Sequence, residues 1–347
     1  MTRAGVLPAL LSALLFGAST PFAKLLLGSV DPWVLAGLLY LGAGVGLASF
    51  IAVRPAGAEA PLRLAHLPRL AAVVAFGGVL GPLLLMGGLA RTDAATASLL
   101  LNLEGLATLA IAWGVYREGV DRRLVAGALS IVAGGAVLAW RGSAAVDPGA
   151  LLVVAACVCW GIDNNLTRGL NAADPAALAM IKGLAAGTVN LLAGLGAGGA
   201  LPPPATIAAA AMVGVVGYGA SLVLYLIGQR HLGAARTGAY FSLAPFAGAA
   251  LAVGLVGEPV TLPLLAAAAL MAVGLWLHLV ERHEHQHEHE PLEHEHRHVH
   301  DDHHRHEHAA GEASTAPHSH RHTHDRLVHR HPHMPDLHHR HGHGRTV

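Results

Sequence analysis

The sequence predicts an all-α integral membrane protein: ten transmembrane helices arranged as two inverted five-helix repeats, followed by a disordered tail. Three observations predict it: the segregation of polar residues, ten apolar runs of membrane-spanning length, and an internal repeat. Of the 347 residues, 53% are hydrophobic and 13% are charged. The 67 residues from Glu281 onward hold 23 of the 26 histidines, 8 of the 20 arginines and 12 of the 22 acidic residues. What precedes them has too few charges to coat a water-soluble body of that length, so a lipid bilayer must solvate it. The formal net charge of zero gives no footprint for nucleic acid.

Crossing about 30 Å of hydrocarbon takes roughly 20 helical residues. Apolar runs of that order cover Val6 to Leu27, Trp33 to Val53, Leu70 to Ala90, Ala95 to Val115, Leu124 to Trp140, Gly149 to Thr167, Ala176 to Gly196, Ile207 to Gly228, Thr237 to Val256 and Leu262 to Val280. The first run follows Arg3, as a signal peptide would, but its length and direct continuation into further spans make it a retained helix. The spans are rich in Gly, Ala and Leu. Small residues let helix backbones approach closely, which is how helices associate where lipid gives no hydrophobic drive. Cys157 and Cys159 stand two apart in an apolar run, point in different directions on a helix, and are expected to be packing residues without a disulfide.

The basic residues between spans set an expected orientation. With a cytoplasmic N-terminus, the inner segments hold Arg3, Arg54, Arg63, Arg69, Arg117, Arg122, Arg123, Arg168, Arg230 and Arg236, against Arg91 and Arg141 outside. An even number of spans then places the C-terminal tail in the cytoplasm as well, in a multi-pass protein of the cell inner (plasma) membrane.

The repeat shows in two places. Phe16-Gly17-Ala18-Ser19-Thr20 in the first span answers Trp160-Gly161-Ile162-Asp163-Asn164 in the sixth, and Ala95 to Glu118 runs parallel to Ala235 to Glu258. Five spans per half is an odd number, so the halves lie oppositely in the membrane, an architecture that puts a binding site between them near the midplane. The expected domains are residues 1–141, 142–280 and the tail 281–347.

These residues resemble the drug/metabolite transporter superfamily, EamA type. The resemblance rests on Phe16-Gly17 and Trp160-Gly161, on Ala235-Arg236-Thr237-Gly238-Ala239 leading to Leu243-Ala244-Pro245, and on the span-ending Arg117-Glu118 and Gly257-Glu258-Pro259. It covers the whole membrane body and departs in the first half, where Glu104-Gly105 takes the place of an Ala-Pro pair. It implies a secondary carrier of small metabolites or drugs, an exporter working by alternating access rather than an enzyme, with no required cofactor. The bilayer and a small-molecule substrate are its expected partners, with a homodimer left open. Nothing in the chain resembles a phosphate-binding loop for ATP.

A charge at the centre of a lipid-exposed helix costs about 2.5 to 3.5 kcal/mol, so one is kept where it is paired or working. Glu104, half-way through the fourth span with Asn102 nearby, is expected to be a proton-titrating or amine-binding carboxylate, against the alternative of a structural ion pair. Asp163 and Lys182 lie at similar depth in the sixth and seventh spans, which predicts pairing or a shared cavity role with Asn164 and Asn165 as neutral neighbours. Asn190, Tyr218, Tyr225, Tyr240 and Ser242 are further candidates to line a pathway. Lys24 is expected to snorkel to the interface. Glu118 and Glu258, in symmetry-related places, read as capping or interfacial groups. Pro21, Pro82 and Pro245 interrupt three spans and are candidate hinges.

In the tail the pattern His-x-His recurs, with His283, His285, His287 and His289, then His294, His296, His298 and His300. So few large apolar residues cannot offset the entropy of ordering. Imidazoles interleaved with carboxylates suit Zn, Ni, Co or Cu. Two rival readings follow: a divalent-metal transporter fed by the tail, and a non-transporting membrane metal sensor. Against the first, the membrane body has no clustered His or Cys, since His66 and His231 fall in loops and His278 near a span end.

Overall fold

A computed structural model describes residues 3–53, 64–116, 122–140, 146–170 and 174–279, and in the tail 283–289, 292–298, 318–324 and 327–333. Among these, nine helices are long and apolar enough to cross a membrane: α1 (Gly5–Leu27), α2 (Pro32–Val53), α3 (Leu67–Leu89), α4 (Ala94–Val115), α5 (Arg122–Ala139), α6 (Pro148–Thr167), α7 (Pro175–Gly196), α8 (Pro204–Gln229) and α9 (Arg236–Val256). A tenth, α10 (Leu262–Leu279), is shorter but as apolar. The ten runs read from the sequence agree with these ends to within a few residues.

Local chemistry explains where helices begin. Asp147 and Asp174 each hold an extended backbone and accept a hydrogen bond from the amide two residues on, Gly149 and Ala176, with proline at the first helical position. The side-chain oxygen satisfies an amide that the helix leaves open, and proline has no amide to satisfy.

Interior packing is backbone against backbone. Gly37 of α2 lies on Leu191 of α7, and Gly183 of α7 lies on Gly44 of α2, so tightly that a Cβ on either would fall within 3 Å of a neighbour's backbone. Gly127 and Gly274 do the same between α5 and α10, where Ser130 Oγ also donates to the Leu270 carbonyl at 2.7 Å. The remaining contacts come in repeat-related couples. Gly17 of α1 crosses α9 at Ala244 and Gly248, while Gly161 of α6 crosses α4 at Ala107 and Thr108. Gly88 of α3 meets Gly149 and Val153 of α6, while Gly228 of α8 meets Ala9 of α1. The α2–α7 and α5–α10 seams therefore pair each repeat with its equivalent, and the other helices interlock across them.

Four spans are not regular helices. α4 breaks at Leu101 and Asn102, and α9 at Ser242 and Leu243, within one residue of equivalent positions in the two halves. Pro245 follows the α9 break, yet α4 breaks in the same place with Glu104-Gly105 instead. There the Asn102 side chain donates to Leu99 O at 2.8 Å and its amide bonds to the same carbonyl, so side chain and backbone share one acceptor and the turn tightens. α3 carries a π-helical stretch, Val74–Leu80, before Pro82, and α8 carries one at Val215–Ala220. The prolines expected as hinges thus mark two of these irregular places, Pro82 and Pro245, whereas Pro21 sits inside the continuous helix of α1.

In the tail the described residues are four short segments of extended backbone: β1 (His283–His289), β2 (Leu292–His298), β3 (His318–His324) and β4 (Leu327–His333). β1 pairs antiparallel with β4 and β2 with β3. Composition alone predicts no order because no core can form. The His-x-His alternation nevertheless has the period of a strand, and two such ribbons can pair through the backbone alone.

Candidate functional site

The irregular backbone of α3 is where polar side chains converge. A π-helical turn frees carbonyls from their usual partners, and in a membrane each must find another. The Gly77 carbonyl accepts from Tyr40 Oη of α2 at 3.0 Å and from Trp160 Nε1 of α6 at 2.9 Å. The Gly78 carbonyl accepts from Asn190 Nδ2 of α7 at 3.0 Å. Glycine is required here for space: a Cβ on Gly77 would collide with the Asp163 carboxylate, and one on Gly78 with Ala186 and the Lys182 stem.

Beside this turn Lys182 Nζ of α7 donates to Asp163 Oδ2 of α6 at 2.7 Å, the pairing that their similar depth predicts. The carboxylate side chain is only 3% exposed and the lysine side chain 25%, so the pair is enclosed mainly on its acidic side. Thr167 Oγ1 donates to the other carboxylate oxygen, Oδ1, at 3.3 Å.

Glu104 joins from the other repeat. It stands at the start of the second segment of the broken α4, Leu103–Tyr116. Its Oε1 accepts from Asn164 Nδ2 of α6 at 3.0 Å, and Asn164 Nδ2 also lies 3.1 Å from Thr108 Oγ1, one turn further along α4. Asn164 is exposed and Glu104 half-buried. Asn165, the next residue, is buried and donates to the Thr108 and Gly161 carbonyls at 3.0 and 2.8 Å, holding the α4–α6 crossing closed.

The structure thus unites Glu104, Asp163, Asn164, Asn165, Lys182 and Asn190 around one crossing of the two halves. Asn102 is spent on the α4 break, with Met271 Sδ 3.7 Å from its Nδ2. Ser242 bonds back to the Gly238 and Ala239 carbonyls at the α9 break. Tyr218 sits in an aromatic row, 5.8 Å from Phe16 and 5.7 Å from Tyr40 between ring centroids. Phe241 continues the row to Tyr225. Tyr240 is half-buried. Sequence reading missed Thr108 and Tyr40, although Thr108 lies four residues after Glu104, on the same helix face.

The far end of the bundle, where α1, α3 and α9 finish and α4 and α6 start, is bonded differently. Lys24 reaches this end: its Nζ donates to the Leu89 carbonyl that closes α3 and to the Thr92 carbonyl in the turn beyond it, at 2.6 and 2.8 Å, where the last carbonyls of the helix need donors and a cation suits a helix C-terminus. Thr92 Oγ1 donates to Asp147 Oδ2 at 2.9 Å. Glu258 accepts from the amides of Ala94 and Ala95, both at 2.7 Å. Glu118 and His300 lie outside the described residues, and of the candidate ligands His283, His285, His287, His289, His294, His296 and His298 only the backbone is described. Among the described residues no three of His, Cys, Asp and Glu gather as they would around a metal ion.

The model of the EamA-like transporter family matches the chain twice, at residues 3–140 and 147–280. The chain belongs to that family. It is 28% identical over 276 residues to an uncharacterized transporter of Methanothermobacter thermautotrophicus, covering 74% of this chain and 80% of that relative. A crystal structure of another protein superposes with a TM-score of 0.60 at 20% identity, over 81% of this chain and 99% of that one, which shows the shared fold. The protein is accordingly a multi-pass membrane transporter, with the bilayer and a small solute as its partners.

Proposed function

We propose that the protein is a secondary carrier that exports a small metabolite or drug by alternating access, with Glu104, Asn164 and the Asp163–Lys182 pair at the centre. The observation that carries this is the Glu104–Asn164 contact. An intramembrane carboxylate from one repeat meets an exposed amide from the other, and that amide belongs to the residue next to the ion-paired Asp163. Such a place gives a solute hydrogen-bonding groups of both signs, and it lies where relative motion of the halves would expose it to either side. Glu104 takes a proton or an ammonium group from the substrate. The arginine distribution supports cytoplasmic termini in the cell inner membrane.

Vesicles test it. Flux of amino acids, and separately of nickel and zinc, is measured for the full chain and for one ending at Val280. Organic-solute flux that survives truncation and is lost, with its pH dependence, in E104Q is the expected result. Metal flux as the sole activity, or E104Q transport unchanged in rate and pH profile, overturns the reading.

A second reading concerns the tail alone. The strand register sets His283 opposite His333, His285 opposite His331 and His287 opposite His329, and it sets His294, His296 and His298 opposite His322, His320 and His318. Histidines at register-paired positions, two residues apart along each strand, favour binding of Zn, Ni, Co or Cu by the tail. In the same vesicles its role is then regulatory: truncation abolishes an effect of added metal on solute flux without abolishing the flux.

A further inference from the structure

The geometry points to Glu258 as a latch: at the end of α9, in the second repeat, it closes one mouth of the passage by holding the first two amides of α4, in the first repeat, and it must let go for that mouth to open. The inference rests on the alternating-access reading above and adds to it the residue that holds one gate.

Four observations carry it. First, both carboxylate oxygens are engaged, Oε1 by the Ala94 amide and Oε2 by the Ala95 amide, each at 2.7 Å, across more than 160 residues of chain. Second, α4 has a capping residue of its own that is not used. Asp93 holds the extended backbone of a helix cap, but its side chain makes no capping bond, whereas Asp147 and Asp174 cap their own helices. A local cap would satisfy α4 without tying the halves together; the chain supplies a distant one that ties them. Third, the turn that aims Glu258 is built for it. Gly257 has φ +77°, a left-handed conformation that ends α9 and bends the chain back over the start of α4. Fourth, the two helices meet tightly beneath the latch. Ser98, one turn into α4, is 1% exposed, and its Oγ faces Gly248 of α9. The neighbouring Thr92–Asp147 bond likewise joins first repeat to second. At the other side of the crossing, by contrast, Asn164 is exposed.

A carboxylate on two backbone amides is a charge-assisted pair of hydrogen bonds, strong enough to bias a two-state equilibrium and replaceable by water once the mouth hydrates. The latch therefore favours the conformation seen here, with the Glu258 end shut.

Cysteine reactivity tests this without knowledge of the substrate. The full chain is reconstituted in proteoliposomes in a C157A/C159A background, carrying either S98C or N164C, and treated with a membrane-impermeant maleimide from each face. With Glu258 present, S98C is expected to react slowly from both faces and N164C readily from one. In E258Q, S98C labelling from the Glu258 face should rise at least ten-fold and N164C labelling should fall, with E258D in between because the shorter side chain cannot span both amides. S98C labelling unchanged in an E258Q protein that elutes as a single species overturns the latch; if E258Q is not recovered, E258D carries the same comparison. If S98C opens while N164C labelling stays constant, the latch stands and alternating access fails. If N164C is labelled from one face and S98C never opens, the latch fails and the carrier reading is untouched.

Discussion

The α1–α9 and α6–α4 crossings are repeat-related copies of one another, and they carry opposite chemistry. Both are made by a glycine, Gly17 or Gly161, pressed against the backbone of a broken helix. Two residues beyond Gly17 stands Ser19, which donates to Phe16 O at 2.6 Å and lies beside an aromatic row. Two residues beyond Gly161 stands Asp163, paired with Lys182, with Glu104 reaching over from α4. Symmetry of the backbone thus supplies two equivalent frames, and the sequence charges only one. The lesson is that the inverted repeat builds the machine, while the site sits off its axis in side chains that one half alone possesses.

The largest effect should come from making the crossings alike. Lys182→Ala leaves the nearly enclosed Asp163 carboxylate without its ammonium, at a cost of about 3 to 5 kcal/mol for an unpaired buried charge. Ser19→Asp puts a carboxylate at a site that is 3% exposed and whose repeat-equivalent lysine does not exist, so a loss of about 3 kcal/mol is expected. Replacing both partners, as in D163L/K182M, should recover most of the stability lost in K182A, since no charge is then stranded. Unfolding midpoints of the detergent-solubilised variants check this. A K182A protein as stable as the parent would mean that Asp163 is served from elsewhere.

This difference explains what could be read from the chain. Ten spans were legible because about 20 apolar residues are needed for each, and the repeat was legible because Gly17 and Gly161 are forced by close crossing. Asp163 and Lys182 could be matched because depth along a span is readable from its ends. Glu104–Asn164 and Thr108 were not, since which helix faces which depends on packing across 60 residues of chain. The partners of Lys24 were hidden for the same reason: they are backbone carbonyls at the end of α3 and in the turn beyond it, and no side chain advertises them.

Next in size are the glycines at the crossings themselves. Gly161→Ala would place a Cβ 2.7 Å from Ala107 Cβ and 2.9 Å from the Ala107 backbone carbon, and Gly17→Ala would press on the Ala244 carbonyl. Neither obstacle is a flexible side chain, so each change should cost about 1 to 3 kcal/mol through overpacking. Gly105→Ala, in the same α4 segment but with nothing within 4 Å, is the control and should be neutral or stabilising by up to about 1 kcal/mol. If G17A and G161A lose stability equally while only G161A also disturbs transport, the frames are symmetric and the chemistry is not. Equal transport defects would instead put functional groups at both.

The smallest effect separates a steric glycine from a conformational one. Gly257 has open space around its missing Cβ, yet its φ of +77° is unfavourable for any other residue. Gly257→Ala should cost about 1 to 2 kcal/mol from the left-handed backbone alone. That strain is relieved if the end of α9 rotates, and rotation moves the Glu258 carboxylate off the Ala94 and Ala95 amides. G257A should therefore raise S98C labelling from the Glu258 face, though less than E258Q does, and should do so with every side chain of the latch intact. A G257A protein that is destabilised but leaves S98C sealed would show that the turn serves the helix end and not the gate.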